Sequence, residues 1–557
     1  MTRWTAGRAA FGFTSTRAGV TLALGVLAGC GSDAGESNGE SSGADTNSEP
    51  DTAPAMDAAA TDATRPDLSP PDSALDRPDA APPPTASVSN DFGIWSLDPY
   101  QESNLCIAWT LENEAPLYLQ SFRMRNGGAV HHANWYVVPD SLYDGPDGFF
   151  NCEARAFNEV AGVITGTAIY AQSTQAQYEV QDLGPGVAIK LPARHRIIAA
   201  VHLLNLSSRR ARTFVQATLD LLHPQDVQTV AAPFRLFYND LHIPPQRTSR
   251  FETECDFGAA AAPTQGDDFQ LRLFYALPHY HQLGSGFSLS LLGGPSDGVP
   301  FYEVAGFDAD ANGRRLDPPV VLDVREGARG FRFSCDYRNP TSREIGYGYG
   351  DGEMCMMLGF ADSPLLFNAG VAEGDAVAET IDGIEIHRAP CRVTPVPRKV
   401  TQDLPSAEEL AAPLYVPEGG NLAHPVEAPN CMDSPADALP DSDATLTRVR
   451  DDIFRPSCSF SACHGGEAPA AGLLLEGDVA TLRRALLRHE PQADTVLDLI
   501  VPGDPLGSWL YQLVSLCDPQ DDTGRIVRHM PLNAPQLLEP ELVGLLRSWI
   551  MLGAEAD

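Results

Sequence analysis

The sequence predicts a mainly β protein, with β-sandwich units in the middle of the chain and a small helical unit at its end. Three observations carry this. Short β-branched and aromatic runs, among them Gly186-Val-Ala-Ile-Lys-Leu, Ile197-Ile-Ala-Ala-Val-His-Leu-Leu and Phe269-Gln-Leu-Arg-Leu-Phe-Tyr, are separated by Gly, Pro, Asn and Asp. No long helical periodicity competes with them before about residue 435, and their spacing fits one or two β-sandwiches better than alternating β and α units. After Asp443 the period becomes helical: Leu542, Leu545, Leu546 and Trp549 share one helix face, and Gly553 is placed to cap it.

The 557 residues suggest about three or four domains. With 38 basic against 74 acidic side chains the formal charge is -36, which argues against nucleic acid as a partner because a phosphate backbone needs a basic footprint. No run of about 18 uninterrupted apolar residues occurs, so the sequence offers no membrane-spanning segment.

Residues 1–29 have the pattern of a targeting segment. Arg3, Arg8 and Arg17 form a positive region without acids, and an apolar run from Ala18 leads to Leu27-Ala28-Gly29-Cys30. These last four residues resemble a bacterial lipobox. The resemblance implies cleavage before Cys30, its lipidation, and a body in the cell envelope held by a lipid anchor; Gly31 in place of Asp implies the outer membrane. Residues 30–90 contain no aromatic residue, many prolines and an acidic excess over Arg65 and Arg77, so they are expected to form a disordered, charge-extended tether.

The histidines and cysteines carry the chemistry. His279 and His281 extend an alternating run in which Phe269, Leu271, Leu273 and Tyr275 share a face, so both imidazoles are expected to project the same way, as half a metal site. His131 and His132 are adjacent and would point to opposite faces of a regular strand; both can serve one ion only if the backbone bends or different ring nitrogens are used. His202 lies alone in an apolar strand, where a core role is the commoner one. Gly350-Asp-Gly-Glu-Met-Cys-Met-Met sets thioethers beside Cys355. Of 11 cysteines, Cys30 belongs to the anchor and Cys458 with Cys463 to a later motif; the remaining eight suit four disulfides, with connectivity open from spacing alone.

Taken together, the order His-His, His, His-x-His, Glu-Met-Cys resembles the copper type II, ascorbate-dependent monooxygenases, the family of peptidylglycine α-hydroxylating monooxygenase and dopamine β-hydroxylase, over about residues 91–395. The resemblance implies two jelly-roll-like β-sandwiches, 91–235 and 236–397, each holding one copper across a solvent-filled gap. By matched motif it implies that His131, His132 and His202 bind the electron-supplying copper, and that His279, His281 and Met354 bind the copper that meets O₂. Imidazole suits both oxidation states of copper, and a soft thioether favours Cu(I). It further implies a Cys335–Cys355 bridge clamping the methionine loop and a Cys106–Cys152 bridge flanking the His-His strand, with Cys255–Cys391 as a third. The peptide-amidating branch has an arginine two residues before His-x-His and a tyrosine four residues after the methionine. This chain has Leu277 and Leu358 there, which implies a small apolar or neutral substrate rather than a peptide acid.

A connector rich in Pro and acids, 398–440, leads to residues 441–557. Within these, Cys458-Ser-Phe-Ser-Ala-Cys463-His464 has the parts of a covalent haem c site, two thioether cysteines and a proximal histidine. Four residues separate the cysteines in place of two, so a Cys458–Cys463 disulfide with an incidental His464 is the alternative. Arg528-His-Met530-Pro and the helix from Glu539 to Leu552 resemble the distal loop and last helix of a small class I cytochrome c, which implies Met530 as sixth ligand, with His529 as its rival, and a Cys431–Cys517 pair in or beside this unit.

The expectation is a copper monooxygenase that hydroxylates a C–H bond of a small-molecule substrate with O₂. Each turnover takes two external electrons, and the haem unit would replace or supplement ascorbate, fed by a periplasmic or extracellular redox partner. Two other classes share these features: a non-catalytic copper-binding or electron-transfer surface lipoprotein, and a carbohydrate- or partner-binding sandwich joined to a cytochrome.

Overall fold

The computed structural model describes residues 85–557 except 173–176, 206–209, 282, 306–312, 349–351, 373–376, 398–401, 419–430, 435–442, 460–462, 466–468, 490–496 and 533–536. The targeting segment, Cys30 and most of the expected tether lie outside the described residues. The architecture is mainly β, with several sheets.

Two sheets share the first core. One has the spatial order β1 (Ala86–Leu97), β10 (Ala211–Leu222), β3 (Leu117–Asn126), β8 (Val187–Leu191) and β11 (Thr229–Val230), with β7 (Tyr178–Asp182) also on β3. The other has the order β5 (Gly148–Phe150), β2 (Glu102–Thr110), β9 (His195–Leu204), β4 (Val130–Pro139) and β6 (Thr167–Ala171). Between them lie Leu119, Phe122, Trp135, Tyr170, Val201 and Leu219, all buried. Alternation along each strand sends these side chains inward and their neighbours out.

Two further sheets share the second core. One runs β18 (Arg314–Asp323), β15 (Gln270–His279), β21 (Met356–Asp362), β12 (Ala232–Tyr238), β22 (Leu365–Val371), β25 (Arg392–Pro397). Its partner runs β17 (Pro300–Ala305), β16 (Gly284–Gly293), β19 (Ala328–Asn339), β14 (Arg247–Asp256), β24 (Ile384–Arg388), β23 (Val377–Ile381). Phe251, Phe257, Phe287, Phe333 and Phe367 fill the space between, and β13 (His242–Ile243) pairs with β20 (Ile345–Gly346) beside it.

Two expected boundaries move. β1 begins at Ala86, inside the range assigned to the tether, because Val88, Asn90 and Phe92 alternate inward and the strand pairs with β10. The second sheet pair begins at Ala232 rather than at residue 236, since Phe234 and Leu236 of β12 enter the second core. Short helices also interrupt the strands. α1 (Glu159–Thr165) is capped by Asn158, and α2 (Phe257–Gln265), capped by Asp256, places Phe257 and Ala261 in the second core.

The connector is not bare chain throughout. Ser406 and Glu409 form a capping box on α3 (Ala407–Ala411), and Glu409 meets Lys190 at 2.9 Å and the Tyr118 hydroxyl at 3.0 Å, both on the first sheet pair. Tyr415 donates to the Leu111 carbonyl at 3.1 Å.

In the C-terminal region α4 (Leu446–Val449) continues through a π-turn into α5 (Arg455–Ser457), followed by α6 (Val479–Arg488), α7 (Trp509–Ser515) and α8 (Pro540–Met551). Leu446, Ile453, Leu482, Leu510, Leu546 and Trp549 form its core. Gly553 ends α8 at φ 101°, where glycine has no steric penalty. Its amide bonds Ile550 O and the Ala554 amide bonds Trp549 O, the pair that defines a Schellman cap.

Candidate metal centres

His132 and His202 stand directly opposite each other on the antiparallel β4–β9 ladder, and the register slips between Val130 and His132. His131 is therefore the extra residue of a β-bulge. The bulge removes the opposition expected of neighbouring strand residues. The His131 and His132 rings lie 5.2 Å apart, and they lie 5.0 and 5.2 Å from the His202 ring. One ligating nitrogen from each of the three falls within 4.8 Å of the others. His202, alone in an apolar strand, is thus a member of a cluster.

A second bulge corrects the face assigned to the His-x-His pair. Against β21 the register slips between Leu273 and Tyr275, which makes Phe274 the extra residue of that ladder. Before it, Leu271 and Leu273 enter the second core; after it, Ala276 and Tyr280 take that side. Phe274, Tyr275 and Leu277 instead pack into the core of the first sheet pair. His279 and His281 continue the alternation of Tyr275 and Leu277, so they do not share the face of Phe269, Leu271 and Leu273. Their rings lie 5.2 Å apart and nearly perpendicular.

The methionine loop is tied to this segment. His281 Nδ1 lies 2.8 Å from the Gly352 carbonyl, leaving Nε2 as its free ligating nitrogen. The fully buried Glu353 carboxyl accepts the amides of His281 at 2.9 Å and Leu283 at 2.7 Å. Burial pushes this carboxyl up to about 8, against the backbone amides that favour its charged form. The Tyr337 hydroxyl donates to the Met354 carbonyl, and Cys335–Cys355 fastens the next residue. Met354 is 3% exposed.

Burial favours the neutral form of His132, His279 and His281, the form that binds metal. His279 is pushed down to about 3 by burial and by His281 and His131. His132 is held well below the usual histidine range by burial and by His202, His279 and His281. Since each histidine group acts on the other, the two clusters lie within electrostatic reach of one another.

Among the described residues four disulfides join pairs named above: Cys106–Cys152, Cys255–Cys391, Cys335–Cys355 and Cys431–Cys517. Cys458 and Cys463 are free thiols, so the disulfide alternative for this motif is not formed. Burial pushes both thiols up to about 12, with Cys463 adding to the effect on Cys458 and Glu102 to that on Cys463. His464 turns Nδ1 toward the carbonyls of Leu473 at 3.1 Å and Ala470 at 3.2 Å, and burial pushes it down to about 4. Cys458 and Met530 border the same apolar cluster, and the Met530 amide donates to Leu513 O at 2.7 Å. Burial also holds His529 below the usual range.

Leu277 and Leu358 are directly paired across β15 and β21. Leu277, 2% exposed, belongs to the core of the first sheet pair, and Leu358 packs against it. Two cavities, of about 450 and 340 Å³, are lined by Val180, Asp182, Tyr275 and Arg315 and by Asp433, Gln512 and Gln520 among others; neither lining contains a candidate ligand.

Two residues with a clear part in these sites carry no sequence signal of their own. Glu353 is legible only as part of Glu-Met-Cys, and Glu102, whose Oε1 lies 2.7 Å from His202 Nε2, stands 100 residues from its partner.

No protein-family model and no curated protein matches the chain. Similar solved structures include the PBSX exported protein XepA, 7% identical over 49% of this chain and 86% of that one with a TM-score of 0.14. Others are a chain of Sulfolobus turreted icosahedral virus, 7% identical over 48% and 59% with a TM-score of 0.15, and the VP2 subviral particle of infectious bursal disease virus, 11% identical over 51% and 73% with a TM-score of 0.14. At such scores they define neither a family nor a function for this chain. Among the described residues no helix is long and apolar enough to cross a membrane.

Proposed function

We propose that the chain is a copper-dependent monooxygenase of two jelly-roll-like β-sandwiches with a C-terminal cytochrome c-like unit, anchored in the bacterial cell envelope by a lipid on Cys30. The observation that carries this reading is the gathering of His131, His132 and His202 from β4 and β9, a ligating nitrogen of each within 4.8 Å of the others, together with the close pair His279 and His281 at the end of β15. The donors fit copper: three imidazoles in one cluster, and in the other two imidazoles tied to a loop that carries a thioether. Bound copper supplies one-electron chemistry that reduces O₂ and places one oxygen atom in a C–H bond.

The chain's own part is positioning. The β4–β9 ladder and its bulge hold His131, His132 and His202 together. Glu353, Tyr337 and Cys335–Cys355 fix the Met354 loop against the His281 segment, so that Met354 would serve as the soft ligand beside Nε2 of His281.

The C-terminal motif fits haem c. Its thiols are unpaired, and the Nδ1 contacts of His464 leave Nε2 for iron, the arrangement that carbonyl acceptors impose on a ligating histidine. Cys458, Cys463, His464 and Met530 would hold the haem, which would supply electrons, with ascorbate as the alternative reductant. The substrate is a small apolar or neutral molecule, since Leu277 and Leu358 offer no group for a carboxylate.

A second reading, a copper-binding or electron-transfer surface lipoprotein without turnover, is favoured by one observation. Leu277 and Leu358 pack into the contact between the sheet pairs in place of lining an open pocket. The test is copper and haem quantification on protein exported with a cytochrome c maturation system. The monooxygenase reading expects about two coppers and one covalent haem that stays with the chain on a denaturing gel. Protein without stoichiometric copper would overturn the monooxygenase and the copper-binding readings, and haem without copper would leave electron transfer alone; two coppers with no product from any small C–H substrate under reductant and O₂ would leave the second.

A further inference from the structure

Three-histidine clusters leave one choice open at each ring, which of two nitrogens faces the metal. For His202 the structure closes it. Its Nε2 lies 2.7 Å from Oε1 of Glu102, on the adjacent strand β2. An ionised carboxylate only accepts, so Nε2 carries the proton and Nδ1 keeps the lone pair. The β2–β9 register places Asn104 opposite His202 and Glu102 opposite Leu204, so Glu102 reaches His202 diagonally. The carboxylate side chain is 60% exposed against 16% for the imidazole, so it grips the ring from the rim of the cluster.

We propose that Glu102 is a positioning residue of the three-histidine centre, fixing His202 as an Nδ1 ligand through the hydrogen bond to Nε2. The inference rests on the copper reading of that cluster. Carboxylate partners of ligating histidines set ring orientation and tautomer and raise ligand basicity. Glu102 also lies within electrostatic reach of Cys463.

The experiment uses the full chain carrying His279→Ala and His281→Ala, so that copper is read at the three-histidine centre alone. Glu102→Ala and Glu102→Gln are compared with this parent by Cu(II) titration and by pulsed EPR of the remote imidazole nitrogens. Glu102→Ala is expected to weaken copper binding about 10–100-fold and to move the remote-nitrogen signal of one imidazole. Glu102→Gln, whose carbonyl still accepts from Nε2, is expected to restore most of the affinity and the parent-like spectrum. A Glu102→Ala protein with the affinity and spectrum of the parent would overturn the inference and leave the copper reading intact. A parent that binds no copper would overturn both.

Discussion

His132 and His202 face each other across β4 and β9 with their rings 5.2 Å apart, and the bulge at His131 swings a third imidazole to the same side. A ligand set of this kind is local to one ladder. His131→Ala, His132→Ala and His202→Ala should each release about one copper per chain and leave the His279–His281–Met354 copper in place. Elemental analysis after dialysis against a weak chelator checks this, and loss of both coppers from any one of them would join the clusters into a single site.

Glu353 makes a different prediction, because its carboxyl satisfies two buried amides. Glu353→Ala strands the amides of His281 and Leu283, and should lower stability in urea by about 1–3 kcal/mol for each amide left without a partner. Glu353→Gln keeps an acceptor and should lose less. The same series should disturb copper at the methionine-bearing centre and leave the three-histidine centre filled.

The depressed histidines set an acid limit on the metal-free, haem-free chain. His279 is held at about 3 and His464 at about 4, both below their ordinary value of 6.5. The unfolded chain then takes up protons that the folded chain refuses, so stability is present above about 6.5 and is lost as pH falls toward 4 and then 3. Denaturation curves across this window should show the loss, and His464→Ala should flatten its upper part.

On the proposed monooxygenase reading, Leu277 takes the place of the arginine that would hold a peptide carboxylate. Glycine-extended peptides with copper and ascorbate should therefore give no hydroxylated product, as mass spectrometry of the products will show. Leu277→Arg should not create a peptide site. It buries a charge in the contact between the sheet pairs and should cost more than about 2 kcal/mol of stability.

Much of this was legible in the sequence. Strands such as Ile197–Leu204 announce themselves through β-branched residues and turns, and the Schellman cap at Gly553 through one glycine after an apolar helix face. The bulges at His131 and Phe274 were not, because an inserted residue has no compositional mark and shows only when two strands are laid side by side. The second one reversed the face expected for His279 and His281. Glu102 was invisible for a related reason: its role depends on the β2–β9 register, and register is a relation between distant segments. The start of β12 at Ala232 was missed because a strand that changes sheet pair looks like one that does not.

The connector has a consequence for reach. Tyr415 is fastened to the Leu111 carbonyl of the first sheet pair, and Cys431 is bonded to Cys517 beside α7. Only 431 − 415 = 16 residues span these fixings, although 43 residues (398–440) lie between the second sheet pair and the C-terminal unit. Even fully drawn out, 16 residues cover no more than about 55 Å. The leash is thus short at both knots. The C-terminal unit stays in the neighbourhood of the first sheet pair, so encounter between its thiol-histidine motif and the three-histidine cluster does not depend on protein concentration. Reduction of Cys431–Cys517 would untie one knot and lengthen that leash.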